Sequence, residues 1–218
     1  MNPLPEIVKG HLYVLILPRS LRRPMLNELT VRLALRGEVQ VLVAGNRFDA
    51  HGIARLLRRQ TTAVLPALQR IHLARAFTCY QVASLLGEVA SAQLPTLVTD
   101  LLDPFTDENV SLAERRTLLT HCLQDLHRLS RQTEVLISIA QPRLVDSAES
   151  TLSFALLENH TSGPLTPLEF RQAKLCETPS PLKPAETPSA LFEMVLSAAD
   201  TLWTIESPNP VQPQLTLF

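Results

Sequence analysis

Two kinds of hydrophobic pattern alternate between residues 11 and 140 of the chain. Short, nearly continuous apolar segments predict strands buried on both faces, whereas apolar residues recurring every three or four positions predict amphipathic helices. The predicted strands span residues 11–17, 39–43, 71–74, 96–102 and 135–140. The predicted helices span residues 24–35, 50–59 and 80–90, and a further segment that follows residue 111. This alternation predicts an α/β fold, in which right-handed crossovers produce a mostly parallel sheet flanked by helices.

Particular residues mark where the predicted helices begin. Pro24 suits the first turn of a helix, and Asp49 has the position of an N-cap. Ser111 and Glu114 have the spacing of a capping box. An apolar stripe at helical spacing follows them, and it consists of Leu118, Leu119, Cys122, Leu123, Leu126 and Leu129.

The composition of the chain changes after Gln141, where 10 of its 17 prolines lie. Residues 177–188, with the sequence ETPSPLKPAETP, predict a mobile loop. A helix over 191–196 and a last strand over 199–205 are predicted beyond it. We therefore expect one core over residues 1–206, interrupted by a Pro-rich loop, and an extended tail over residues 207–218.

Composition limits the classes of protein to consider. The 218 residues are 45% apolar and can fill a single core. The apolar run over residues 12–17 is too short for a membrane span or a signal-peptide core, so we expect a cytoplasmic protein with no membrane partner. Cys79, Cys122 and Cys176 have no disulfide or zinc spacing and are expected to be buried. The histidines form no H-E-x-x-H motif, and no metal or other cofactor is expected.

The net charge of −1 conceals an uneven distribution. Residues 1–75 carry 12 basic and 4 acidic side chains, a net of +8, and residues 76–218 carry 8 and 17, a net of −9. Arginine outnumbers lysine 17 to 3, and guanidinium groups suit phosphates and interfacial carboxylates. The arginines either contact a nucleic-acid backbone or the acidic half of a second copy, or they cover solvated helix faces. Arg55, Arg58 and Arg59 form one candidate contact patch at helical spacing.

The connection from the first strand to the first helix, LPRSLRRP over residues 17–24, contains no glycine. A phosphate-binding loop at this position of an α/β domain usually needs glycines. Several later segments nevertheless resemble, in order, those of the RecA/RadA recombinase superfamily. They are Gly45-Asn46-Arg47-Phe48, Leu73-Ala74-Arg75-Ala76-Phe77, the strand Thr96-Leu97-Val98-Thr99-Asp100, the Glu114-Arg115-Arg116 helix and the strand end Ile139-Ala140-Gln141.

The resemblance implies a RecA-like core over about residues 10–142 and 190–206 whose nucleotide site is degenerate. The family's P-loop lysine falls on Arg23, its Mg²⁺-binding Ser/Thr on Pro24 and its catalytic glutamate on Gly45. The Walker B aspartate is retained as Asp100. Pro24 has no hydroxyl and Gly45 cannot orient a water, so the resemblance implies that the chain does not hydrolyse ATP.

Two questions about this site stay open at the level of sequence. Arg22 and Arg23 could retain nucleotide binding, and Asp100 could be a strand-end carboxylate paired with an arginine rather than a metal ligand. Freed from a phosphate loop, Arg19, Arg22 and Arg23 are candidates for contact with DNA or an acidic partner.

The last residues, Gln214-Leu215-Thr216-Leu217-Phe218, resemble the peptide by which bacterial polymerases and repair factors bind the sliding clamp. The prolines before them favour an extended approach, so Leu215, Leu217 and Phe218 could fill an apolar groove while Gln214 makes hydrogen bonds. The alternative is that these residues fold back as an edge strand.

Together these features predict a non-catalytic, nucleoid-associated RecA-like accessory protein in DNA repair, recombination or translesion synthesis. Its expected partners are the sliding clamp through Gln214, Leu215, Leu217 and Phe218, DNA, and a recombinase or DNA polymerase. The alternatives are a divergent ATPase and an assembly or filament-regulating protein that does not bind DNA.

Overall fold

The computed structural model describes residues 7–45, 47–89, 93–141, 171–173 and 188–204. Its strands are β1 (Leu12–Leu17), β2 (Val39–Val43), β3 (Ile71–Arg75), β4 (Thr96–Thr99), β5 (Val135–Ala140), β6 (Arg171–Ala173) and β7 (Thr201–Thr204). Its helices are α1 (Arg22–Arg36), α2 (Ala50–Gln60), α3 (Val64–Gln69), α4 (Cys79–Val89), α5 (Leu112–Ser130) and α6 (Pro188–Ala198). A short 3-10 helix spans Asp103–Thr106.

The seven strands form one sheet in the order β3-β2-β4-β5-β1-β7-β6. All strand pairs are parallel except β6–β7, which is antiparallel at one edge. The central strand β1 lies between β5 and β7, with Val14 opposite Ile137 on one side and Leu202 on the other. The predicted α/β fold with a mostly parallel sheet is therefore confirmed.

The helices lie in two layers, one on each face of the sheet. The connections from β1 to β2 and from β2 to β3 run towards the β3 edge, whereas those from β3 to β4 and from β4 to β5 run the opposite way. Because parallel crossovers are right-handed, opposite directions place helices on opposite faces. We call α1–α3 the first layer and α4–α6 the second layer.

Side chains alternate between these layers along the strands. Leu15 and Val41 pack with α1, whereas Val14 and Ile137 pack with α4, α5 and α6. All six residues of β1 are buried, so both of its faces contribute to the core. This explains why the strands were predicted from continuous apolar runs and not from alternation.

Local helix signals also have the predicted roles. The Asp49 carboxylate accepts a hydrogen bond from the Gly52 N–H at 2.9 Å at the start of α2, and the Ser111 hydroxyl accepts one from the Glu114 N–H at 3.2 Å at the start of α5. Cys79 and Cys122 are buried as predicted. Among the described residues, no helix combines the length and apolarity that a membrane crossing requires.

The structure corrects several predicted bounds. The strand predicted over 96–102 ends at Thr99, because Asp100 has a left-handed backbone (φ 57°) and the chain then turns into the 3-10 helix. The last strand, predicted over 199–205, is described over Thr201–Thr204. Helix α1 begins at Arg22, ahead of Pro24. Helix α3 and strand β6 were not predicted.

Three predicted features lie outside the described residues. These are most of the Pro-rich loop (177–187), Cys176 and the tail (207–218), which contains Gln214, Leu215, Leu217 and Phe218.

Candidate functional site

The carboxyl ends of β1, β2 and β4 meet at one edge of the sheet. In open α/β sheets, ligand sites lie beyond the carboxyl ends of strands where neighbouring connections diverge. Here β2 leads to the outer strand β3, whereas its neighbour β4 leads the opposite way to β5. The crevice between β2 and β4 is therefore where this topology places a ligand site.

The turn between β1 and α1 is short and uses its own backbone donors. The N–H groups of Leu21 and Arg22 both donate to the Pro18 carbonyl, at 3.0 and 3.1 Å. Pro24 has no N–H to offer. An anion held at a strand–helix turn needs free N–H groups pointing at it, and this turn directs two of them inward to a carbonyl.

Arg22 leaves this turn towards the interior of the protein. Its side chain is 4% exposed; Nε donates to Asp100 Oδ1 at 2.8 Å and Nη2 donates to Asp103 Oδ2 at 3.0 Å. Asp100 is itself 2% exposed. The expectation that Asp100 pairs with an arginine is confirmed, and the arginine is Arg22.

Burial and charge act in opposite directions on this pair. Burial raises the pKa of the Asp100 carboxyl, and the Arg22 guanidinium opposes that rise only in part. Burial alone would lower the pKa of Arg22, but the two carboxylates raise it overall. Arg22 therefore stays charged, and removing it would leave a buried carboxylate without its counter-ion.

Ser138 of β5 fixes the position of Asp100. The Ser138 hydroxyl accepts the Asp100 N–H at 2.9 Å, and its carbonyl accepts the Leu101 N–H at 3.1 Å. Ser138 is fully buried in an otherwise apolar strand. The lone serine in the sequence VLISIA is the signal from which this contact could have been predicted.

Gly45 packs closely against the two carboxylates. A Cβ atom at residue 45 would lie 3.0 Å from Asp103 Oδ2 and 3.4 Å from the Asp100 Cβ. Any side chain at this position would need Asp103 to move. Gly45, on which the resemblance places the catalytic glutamate, thus has little space beside it for a side chain.

A shallow, open cleft of about 370 Å³ lies beside this cluster, and its lining consists of Ala44, Gly45, Arg47, Phe77, Asp103 and Pro104. Arg47 Nε lies 3.4 Å from Asp103 Oδ2, so Asp103 interacts with guanidinium groups from both sides. Phe77 is 60% exposed at the mouth. Within the described ranges, no group of three or more His, Cys, Asp or Glu side chains is placed to hold a metal ion.

No protein-family model matches this chain. The search of curated proteins also returns no match. The resemblance to RecA/RadA recombinases therefore stays a prediction, supported only by the residues quoted for it.

The structure divides the predicted site residues into two groups. Arg22, Gly45 and Asp100 lie together, whereas Arg23 and Pro24 are exposed outside the cluster. Because Arg22 is buried and paired, it is not available for contact with DNA or a partner, for which it was a candidate. Arg19 is exposed and remains a candidate.

The patch Arg55, Arg58 and Arg59 lies on the outer face of α2. The inner face of this helix buries Ile53 and Leu57 against α1 and α3. In the part of the chain that the structure describes, none of the three arginines forms an ion pair. Their guanidinium groups are therefore exposed, and none of the described carboxylates pairs with them.

Proposed function

We propose that this chain is a non-catalytic accessory protein of RecA-like architecture that acts in DNA repair, recombination or translesion synthesis. The single observation that carries the non-catalytic part is the place of Arg22. Its guanidinium fills the space next to Asp100, where a nucleotide-hydrolysing site would hold a cation and phosphates.

Two further features support the loss of catalysis. The β1–α1 turn directs its N–H groups to Pro18, so no phosphate cradle forms there. Gly45 packs against Asp103 where the family has its glutamate. Phosphoryl transfer depends on positioning and on charge stabilisation, and both require groups that are replaced here.

Phosphate release tests the non-catalytic part. We expect no ATP turnover above a protein-free blank, with or without DNA. Turnover that disappears in Asp100→Asn would establish the divergent ATPase instead.

The tether to the sliding clamp is carried by the sequence of residues 214–218. The described core ends at Thr204 of β7, and the 14 residues after it span up to about 46 Å when extended. That reach would allow Leu217 and Phe218 to enter a groove on another protein while the core stays outside it. The clamp is the proposed partner of these residues, and a recombinase or DNA polymerase is the proposed partner of the core.

Calorimetric titration of a sliding clamp tests the tether. The intact protein should bind with micromolar affinity, about −8 kcal/mol, and a version that ends at Pro213 should not bind. Leu217→Ala should weaken binding strongly, whereas Thr216→Ala, a neighbouring change outside the proposed anchors, should not. Equal binding by the intact and shortened proteins contradicts the tether.

One observation favours a second candidate function, an assembly protein that does not bind DNA. No described strand pairs with the outer edge of β3, and Leu73 on it and Phe77 after it are 42% and 60% exposed. Sedimentation over a range of concentrations tests this function. Assembly that Leu73→Lys abolishes, together with no affinity for DNA, would favour it over the repair function.

A further inference from the structure

The two helical layers carry opposite charge. Residues 18–70, which build the first layer and β2, contain ten arginines and three acidic side chains. Residues 76–141, which build α4, α5, β4 and β5, contain four arginines and eight acidic side chains. Within the helices themselves, α1–α3 contain seven arginines and one acidic side chain, whereas α4–α6 contain three and four, so the first layer is the basic face of the domain.

On the first layer, three arginines that form no described ion pair share one exposed side of α2. His51, Arg55, Arg58 and Arg59 are exposed along one side of α2. Arg23, on α1, is also exposed, and its charge acts on the start of α2, where it helps, after the Gly52 N–H and Asn27, to lower the pKa of Asp49. We call Arg23, His51, Arg55, Arg58 and Arg59 the α2 basic surface.

The α2 basic surface lacks the apolar side chains that anchor protein interfaces. The large exposed apolar residues of the described ranges are Val8, Leu65, Leu73, Phe77 and Tyr80, and none of them lies on α1 or α2. Cores of protein interfaces are enriched in aromatic residues and depleted in charge. A surface of arginines alone fits a polyanion better than it fits a protein partner.

The acidic face of a second copy offers little to this surface. Of the eight acidic side chains in residues 76–141, six already accept hydrogen bonds within the chain. These six are Asp100, Asp103, Asp107, Glu114, Asp125 and Glu134. Arginines of a second copy would therefore compete with these contacts for the carboxylate oxygens.

We infer that the α2 basic surface binds the phosphate backbone of duplex DNA without reading its sequence. From His51 to Arg59 the helix rises about 12 Å, over which a duplex presents about seven phosphate charges. Single strands are held by aromatic side chains that stack on bases, and the described part of α1 and α2 exposes none. This inference rests on the proposed function for its biological setting, but a binding measurement with this protein and DNA alone tests it.

Fluorescence anisotropy of a labelled 20-base-pair duplex over a series of salt concentrations tests the inference with the full chain. Arg55→Gln/Arg59→Gln should reduce the slope of log K against log salt by about 1.8, because each lost phosphate contact removes about 0.9. At 0.1 M salt the same loss weakens binding up to about sixtyfold. Arg128→Gln/Arg131→Gln removes the same charge from the second layer, and it should leave the slope unchanged.

Four results would overturn the inference. They are no affinity for the duplex at low salt, DNA binding that Arg55→Gln/Arg59→Gln leaves intact, an equal loss in the control variant, and tighter binding of a single strand of the same length. If the double variant leaves DNA binding intact and dissociates an oligomer, the surface holds a second copy. The clamp titration contains no DNA, so a failure here does not affect the tether.

Discussion

Arginine has opposite roles in two regions of this molecule. At the carboxyl edge of the sheet, Arg22 is buried and held by two carboxylates, whereas on α2 Arg55 and Arg59 are exposed and form no ion pair with a described residue. The buried guanidinium stabilises the fold, because its removal would leave a buried carboxylate without its counter-ion. The exposed ones contribute almost nothing to folding and are available for binding. Whether an arginine lies on the buried or on the exposed face of its helix thus decides which of the two roles it has.

The largest expected effect comes from breaking the buried cluster. Arg22→Ala should lower the free energy of unfolding by about 3–5 kcal/mol, because it leaves Asp100 buried without its counter-ion. Urea denaturation followed by circular dichroism measures this. Arg23→Ala, the adjacent and exposed arginine, is the control and should change stability by less than about 0.5 kcal/mol. Similar losses in both variants would contradict the difference between buried and exposed arginines.

A glutamate at Gly45 tests how tightly this cluster is packed. Gly45→Glu should cost about 2–3 kcal/mol, since its Cβ would lie 3.0 Å from Asp103 Oδ2 and a third carboxylate would join two others. It should not create ATPase activity. Gly37→Glu is the matched control, because a Cβ at residue 37 meets no atom within 4 Å. A stable Gly45→Glu protein would show that Asp103 moves freely.

Asp49 links stability to pH at the start of α2. Its pKa is lowered from the ordinary 3.8, mainly by the Gly52 N–H, so its stabilising contribution is present above pH 3.8 and lost as the pH falls through the lower folded-state value. Asp49→Ala should cost about 1 kcal/mol at pH 7. The gap between wild type and variant should close in urea titrations below pH 3.8. A gap of the same size at low pH would mean that the charge of Asp49 is not what stabilises the helix.

The smallest expected effect on stability comes from removing the exposed arginines of α2. Arg55→Gln/Arg59→Gln should change the free energy of unfolding by less than about 0.5 kcal/mol, because both side chains are exposed and form no described ion pair. Thermal unfolding measures this at the protein concentration used for anisotropy. A marked loss of stability would mean that these arginines support the first layer and are not reserved for a partner.

The sequence predicted those parts of the fold that depend on local pattern. Strands β2 and β5 have the predicted bounds, because each is an apolar run with a single polar residue, and α5 begins after the predicted capping box. The predicted end of β4 was wrong, because a hydrogen bond from the Asp100 N–H to the Ser138 hydroxyl of the distant strand β5 fixes where β4 ends. Strand β6 has three residues and depends on its pairing with β7, which no local pattern reveals.

The role of Arg22 was open to prediction and was missed. Arg22, Met25, Leu26 and Leu29 have the spacing of one buried helix face, so Arg22 continues that face at its beginning. Starting the helix at Pro24 hid this continuity. The identity of its partner, by contrast, depends on the order of strands in the sheet, which brings β1 and β4 to opposite sides of β5.

The Arg22 guanidinium at the carboxyl edge of the sheet also affects how the charge of Asp100 depends on dissolved cations. A domain held together by a dissociable ligand gains stability that grows with the logarithm of the ligand concentration. Here the cation that neutralises Asp100 is part of the polypeptide, so dilution cannot remove it. The neutralisation of Asp100 should therefore not depend on the concentration of magnesium or of any other dissolved cation.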